Sequence, residues 1–290
     1  MRKSIGLGVV VIVCALGCHH HKNGAKAAPP AANNASATDP GLSAAQQELG
    51  GAPPATDTTA ASDAPASGGG TEIDVSGSFA LQGAAPDGKP YFGEASLRRV
   101  SAYCYRGTWK LQGGQPFEGV AFQDGDTLTV GWLTGGIEGH TFGVISYLIK
   151  EDANAADGDD DNNLDGDRYQ VGQSVFGREV LVGGTTNFVG KYAISSASNP
   201  DGSTYTGTVN IGVSSGVYTF KWKYATASSM SVEGIGLRSG NILGAVYSDA
   251  PGYSLGQFHI GKQGGVLSGQ WVQPGPKGQL SIGTETATRK

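Results

Sequence analysis

The stretch Tyr218-Thr219-Phe220-Lys221-Trp222-Lys223-Tyr224 puts Tyr218, Phe220, Trp222 and Tyr224 on one side of the chain and Thr219, Lys221 and Lys223 on the other. Strict alternation over this length means a β-strand with one face buried and one wet. Just upstream, Tyr205, Val209, Ile211 and Val213 alternate in the same way with Thr206, Thr208 and Asn210. One-sided burial belongs to antiparallel sheets, whereas parallel strands read as continuous apolar runs. From Ile73 onward the period stays at two, and no amphipathic helix of useful length intervenes. The expected class is all-β.

The alternating region repeats itself. Pro86-Asp87-Gly88 with Tyr91 and Gly93 matches Pro200-Asp201-Gly202 with Tyr205 and Gly207. Tyr105 and Trp109 match Tyr218 and Trp222, and Glu118-Gly119 matches Glu233-Gly234. Gly125 to Leu128 matches Gly240 to Leu243, Leu164-Asp165-Gly166 matches Leu267-Ser268-Gly269, and Gly183-Gly184-Thr185 resembles Ile282-Gly283-Thr284. These come in one order at a nearly constant offset, which indicates two diverged repeats of about 110 residues each. Turn signals such as Pro-Asp-Gly and Ser-Gly-Asn cut each repeat into about eight short strands, enough to close an up-and-down barrel with no free edge. The expectation is two tandem antiparallel barrels joined near Asn187 to Gly190. The architectural alternative is one larger β-sandwich shared by both repeats.

That layout resembles the calycin superfamily, the lipocalins and avidins. The avidin start, Gly-x-Trp followed by a biotin-contacting Asn, is replaced here by Gly77-Ser78-Phe79-Ala80-Leu81, so the resemblance does not imply biotin. The second repeat also resembles small exported bacterial proteins of unknown role, through Asn199-Pro200-Asp201-Gly202-Ser203-Thr204-Tyr205 and Gly283-Thr284-Glu285-Thr286.

Ahead of the repeats, Arg2 and Lys3 precede an apolar run from Ile5 to Leu16 that ends in Ala15-Leu16-Gly17-Cys18. Charge, a short apolar run and small residues make a secretory signal, too short to be a permanent transmembrane helix. Its end resembles the lipobox of bacterial lipoproteins, with Ala15 where Leu is commonest. The resemblance implies cleavage before Cys18 and acylation of its thiol, and His19 in second place implies the outer rather than the inner membrane. The plainer alternative is ordinary signal cleavage with Cys18 incidental. From His19 to about Gly70 the chain is Ala, Pro, Ser, Thr, Asn and Gly with almost no large apolar residue, a composition that cannot offset chain entropy and reads as a disordered tether. The layout is therefore a signal peptide over 1–17, a lipidated tether over 18–72, a first β repeat over 73–186 with an acidic insertion at 151–168, and a second repeat over 187–290.

Of the 3 Cys, Cys14 and Cys18 lie at the leader, which leaves Cys104 alone in the folded part and reads as a buried structural thiol rather than a reactive one. A net charge of -5 with no clustered basic face argues against a nucleic-acid partner.

Chemistry-bearing patterns are few. Asp161-Asn162-Asn163-Leu164-Asp165-Gly166-Asp167 resembles the start of a calcium loop, where alternate oxygen ligands converge about a sharp turn at the glycine. The expected ligands of Ca²⁺ are Asp161, Asn163, Asp165 and Asp167. Gly172 stands where the bidentate Glu would be, so binding would be weak, and a solvated acidic loop is the alternative. There is no nucleophile elbow, zinc-helix motif or phosphate loop, and the repeats hold only His140 and His259. Trp109 and Trp222, at equivalent positions on apolar faces, are expected in the cores, with Trp132 and Trp271 similar. The functional expectation is a non-enzymatic cell-envelope lipoprotein. It would be held to the membrane by its lipid and would present β modules to an envelope protein or polysaccharide. The alternatives are a small-molecule carrier using a barrel interior and an uncharacterised envelope enzyme. A dry, aromatic-filled interior would separate the first from the carrier.

Overall fold

The computed structural model describes residues 72–149, 163–225, 231–275 and 278–290. The signal peptide, Cys18, nearly all of the tether and most of the acidic insertion, Asp161 included, lie outside the described residues. The first half contributes β1 (Gly77–Ala84), β2 (Pro90–Ser101), β3 (Cys104–Leu111), β4 (Pro116–Asp124), β5 (Thr127–Leu133), β6 (Phe142–Ile149), β7 (Leu164–Gln170) and β8 (Gly177–Thr185). The second contributes β9 (Val189–Ser198), β10 (Gly207–Ser214), β11 (Val217–Tyr224), β12 (Ser231–Ser239), β13 (Ile242–Ser248), β14 (Tyr253–Ile260), β15 (Val266–Pro274) and β16 (Leu280–Arg289).

These strands form two closed antiparallel barrels of eight, a calycin-like architecture in place of the single sandwich. Their allocation differs from the expectation of one barrel in 73–186 and one in 187–290. Barrel 1 closes β1–β5 with β14–β16, and barrel 2 closes β9–β13 with β6–β8. The exchange happens where β5 pairs with β14, through Leu128↔Phe258, and β6 with β13, through Tyr147↔Leu243. The physical reason lies in the repeat itself. Equivalent strands present the same alternation and backbone edge, so β5 can accept either β6 or β14, and local sequence does not choose between them. The connections that cross over, 134–141 and 249–252, bond to each other: Thr134 N donates to Gly252 O at 3.3 Å and Asp249 N to Thr141 O at 3.1 Å.

The crossing packs the barrels side by side, and the strands there depart from one-sided burial. β5 and β13 are buried along their whole length, and β6 nearly so. Their inward residues fill the barrels. Their outward residues, Leu133, Val144 and Val246 among them, join Phe122 of β4 and Leu237 of β12 in a third apolar cluster between the barrels. Close approach depends on glycine at Gly131, where a Cβ would stand 2.7 Å from Val246 Cγ2 and 2.8 Å from Val144 Cγ1. Two polar pairs bridge this seam: Ser146 Oγ donates to Asp124 Oδ2 at 3.1 Å, and Gln257 Nε2 to Ile242 O at 3.3 Å. Cys104 belongs to the seam and is fully buried. Burial pushes its thiol up to about 12, in line with the structural role expected for it.

The far end of barrel 1, where the chain enters, is closed by residues 72–76. Val75 is fully buried, Tyr103 N donates to Glu72 Oε1 at 3.0 Å, and Arg289 Nη2 donates to Asp74 O at 2.8 Å.

Candidate functional site

Inward-facing positions of the barrels are apolar with few exceptions, and the most telling exception occurs twice. Glu179 on β8 sits opposite Gly166, and Glu285 on β16 sits opposite Gly269. Gly166 and Gly269 are the matched glycines of the two repeats, so the glutamates are structural counterparts. Each is met by the matched tyrosine that follows a Pro-Asp-Gly turn. Tyr205 Oη donates to Glu179 Oε2 at 2.9 Å, and Tyr91 Oη to Glu285 Oε2 at 2.9 Å. Because of the strand exchange, each pair joins one repeat to the other.

In barrel 2 the carboxylate is enclosed by donors. Tyr147 Oη and Trp222 Nε1 reach Glu179 Oε1 at 2.5 and 3.2 Å, in addition to Tyr205, and Glu179 is fully buried. Above it lies Arg168, its guanidinium carbon 4.9 Å from the Tyr205 ring centre and 5.9 Å from that of Tyr247, with Asn199 accepting from Nη2. Burial works against the charge of Arg168. The phenol oxygens of Tyr247, Tyr205 and Tyr224 and the carboxylate of Glu179 outweigh it, so the guanidinium stays charged.

Barrel 1 keeps the glutamate, the tyrosine and, in Trp109, the counterpart of Trp222, but loses the Tyr147 hydroxyl and the arginine. Phe258 replaces Tyr147 and offers no donor, while Trp271 on β15 stands at the position of Arg168. Glu285 is 7% exposed and borders a small void lined by Phe79, Leu97, Leu128 and Phe258, with room for about one water molecule. Burial pushes its carboxyl up to about 7, against the opposing hydrogen bond from Tyr91. Burial, and then the charge of Glu285, holds Tyr91 well above the ordinary phenol value. Trp271 lies on Gly283, where a Cβ would stand 2.4 Å from its ring, and edge-on to Tyr91 at 6.2 Å between centres.

Comparison with known protein families and with curated proteins returns no match.

The residues singled out in the sequence take other places. Trp109 and Trp222 do fill the cores, Trp109 stacked on Trp132 at 5.7 Å and Trp222 on Phe220 at 5.0 Å, while Trp271 is only partly buried at the rim. His140 and His259 are exposed and pair with Asp249 and Asp126, each at 3.3 Å. Of the calcium set, Asp161 is outside the described residues, Asn163 precedes β7, and Asp165 and Asp167 lie within it. The sharp turn expected at Gly166 is absent. Gly166 is mid-strand, and a Cβ there would meet the Tyr147 ring at 2.4 Å. Asp165 is instead gripped by Arg178 through Nε at 3.0 Å and Nη2 at 2.9 Å. Among the described residues no three His, Cys, Asp or Glu side chains stand together as a metal would need.

Both glutamates escaped the sequence reading. The match of Gly183-Gly184-Thr185 to Ile282-Gly283-Thr284 set the last strand in the wrong register, whereas the strand pairing aligns Glu179 with Glu285. The available signal was alternation: Glu179 falls on the face of Leu181, and Glu285 on that of Ala287, where a charged residue is out of place.

Proposed function

We propose that the chain is a cell-envelope lipoprotein, acylated at Cys18 and held at the outer membrane, whose paired barrels present a non-enzymatic surface to an envelope protein or polysaccharide. The observation that supports this over a carrier is that both interiors are occupied by their own side chains. Trp109 and Trp132 stack in one, and Tyr147, Phe220 and Trp222 form a nearly parallel stack in the other. A carrier needs a cavity of a few hundred Å³. The void beside Glu285 takes about one water. The buried seam adds rigidity, which suits a module that offers surface.

Cys18→Ala is expected to shift the protein from the membrane to the soluble fraction of its host. Unchanged membrane partition would remove the anchor from the proposal. Native mass spectrometry of protein purified from that host is expected to give the bare acylated chain. A small molecule bound in stoichiometric amount and released on denaturation would replace this reading with the carrier.

A further inference from the structure

Both barrels bury a glutamate, and the two are supplied with donors very unequally. Glu179 takes hydrogen bonds from Tyr147, Tyr205 and Trp222, whereas Glu285 takes one, from Tyr91. The void beside Glu285 has room for about one water and is otherwise apolar. A neutral carboxyl leaves such a void dry, because water there would find too few polar partners. A carboxylate changes this, since it has more acceptor sites than one phenol can fill and binds water strongly. Between the carboxyl and solvent stand the half-buried rings of Tyr91 and Trp271, edge to face at 6.2 Å. They lie over Gly83 and Gly283, so no side chain beneath holds either ring in place.

We propose that Glu285, Tyr91 and Trp271 form a proton-operated water gate at the mouth of barrel 1, shut and dry while the carboxyl is neutral, parted and hydrated when it ionises. The gate does not depend on what the barrels meet, and it gives one of them a rim that changes with pH. Among the described residues, the titratable groups sharing this interior are Tyr91 on β2, Tyr105 on β3 and, at the far end, Glu72, Arg99 and Arg289. Arg99 is paired with Glu72, Arg289 holds the carbonyls of Asp74 and Ser76, and both phenols are held neutral by burial. The strands β1, β4, β5, β14 and β15 turn no titratable side chain inward. Proton exchange near neutrality therefore falls to Glu285. Burial sets its carboxyl at about 7 against the Tyr91 bond, so the gate opens as pH rises through neutrality. Barrel 2 is the built-in control, because Glu179 has its donors from the protein itself.

The test follows the full chain in detergent by NMR from about pH 5.5 to about pH 8.5, a range that brackets the transition. The reporters are the side-chain carboxyl carbons, the indole N–H groups and the methyls of Leu97 and Leu128, which line the void. One glutamate carboxyl is expected to titrate with a midpoint of about 7 and to be missing from Glu285→Gln. The Trp271 indole should shift with the same midpoint, and water should reach the two leucine methyls only above it. Trp222, in barrel 2, should not respond. His140 and His259 remain in Glu285→Gln, so a Trp271 response that survives in this variant belongs to them and overturns the proposal. A Glu285 midpoint below about pH 5.5, close to an ordinary carboxyl, or leucine methyls still dry at the upper end, overturns it too. Tyr91→Phe removes the one donor that favours the carboxylate. It should raise the midpoint by about one pH unit, a tenfold change in proton affinity, and it keeps the test decisive if Glu285→Gln folds poorly. An unmoved midpoint in Tyr91→Phe would take Tyr91 out of the gate and overturn it as drawn.

Discussion

The two barrels share a strand order, a buried glutamate and the tyrosine that meets it, yet they treat the carboxylate in opposite ways. Barrel 2 surrounds Glu179 with two phenols and an indole and sets a charged guanidinium above it. Barrel 1 gives Glu285 one hydrogen bond and an apolar lining. A buried charge is tolerable when it is paired and hydrogen-bonded and costly otherwise. The first barrel therefore carries a destabilised group where the second carries an integrated network. The strand exchange sharpens the point. Tyr91 and Glu285 come from different repeats, as do Tyr205 and Glu179, so neither repeat alone holds a complete pair.

The comparison breaks most visibly at Glu179. Glu179→Gln removes the charge that balances Arg168 and offers an amide N–H₂ to a site filled with donors. Breaking one partner of a buried charged set costs about 3–5 kcal/mol, and chemical denaturation should read a loss of that size. Circular dichroism and tryptophan fluorescence should follow one transition, because each barrel is completed by strands of the other half. A cost below about 1 kcal/mol, the level of an exposed pair, would mean that the cluster of barrel 2 is not an integrated network.

Much of this fold could be read in advance, and its limits are instructive. Alternation in Tyr218 to Tyr224 and the Pro-Asp-Gly repeat lead to two eight-stranded barrels because both are local signals. The exchange of β6 with β14 could not be read, since the two repeats offer interchangeable edges and only tertiary packing at the crossovers decides. The seam was legible only in hindsight. Ile242-Leu243-Gly244-Ala245-Val246 is a continuous apolar run, the mark of a strand buried on both faces. The site stayed hidden for a different reason. Gly166 looked like the turn of a calcium loop, while its use is to admit the Tyr147 ring beside Glu179. A glycine reports that space is needed and not what needs it.

The second test reverses the sign of the first. Glu285 has its carboxyl raised from 4.5 to about 7 in the folded protein. Between those values the folded state binds more protons than the unfolded one, so stability falls as pH rises through about 4.5 to 7 and then levels off. The loss should amount to about 1–3 kcal/mol. Glu285→Gln cannot ionise, so it should flatten this slope and leave the protein more stable than wild type at pH 8. Melting temperatures of both proteins across the range check it. A variant less stable than wild type at pH 8 would place Glu285 in the same class as Glu179 and erase the contrast between the barrels.

The smallest effects are expected on the outer faces, where the repeats also keep a glutamate. Glu233 lies directly across from Lys221 and pairs with it at 3.1 Å, while its counterpart Glu118 is reached diagonally by Arg106 at 3.2 Å. The Lys221–Glu233 side chains are mostly exposed, at 61% and 63%, and exposed pairs of this kind contribute about 0–1 kcal/mol. Lys221→Ala should therefore leave the midpoint of unfolding nearly unchanged. Arg106 is different in one respect: it also pairs with Glu138, in the crossover between β5 and β6. Arg106→Ala should cost slightly more than Lys221→Ala, with the excess lost in high salt as the pairs are screened. If the two variants behave alike at low salt, Arg106 adds nothing to the crossover. The join between barrels then depends on the apolar seam, the hydrogen bonds of Ser146 and Gln257 across it and the backbone bonds at Thr134 and Asp249.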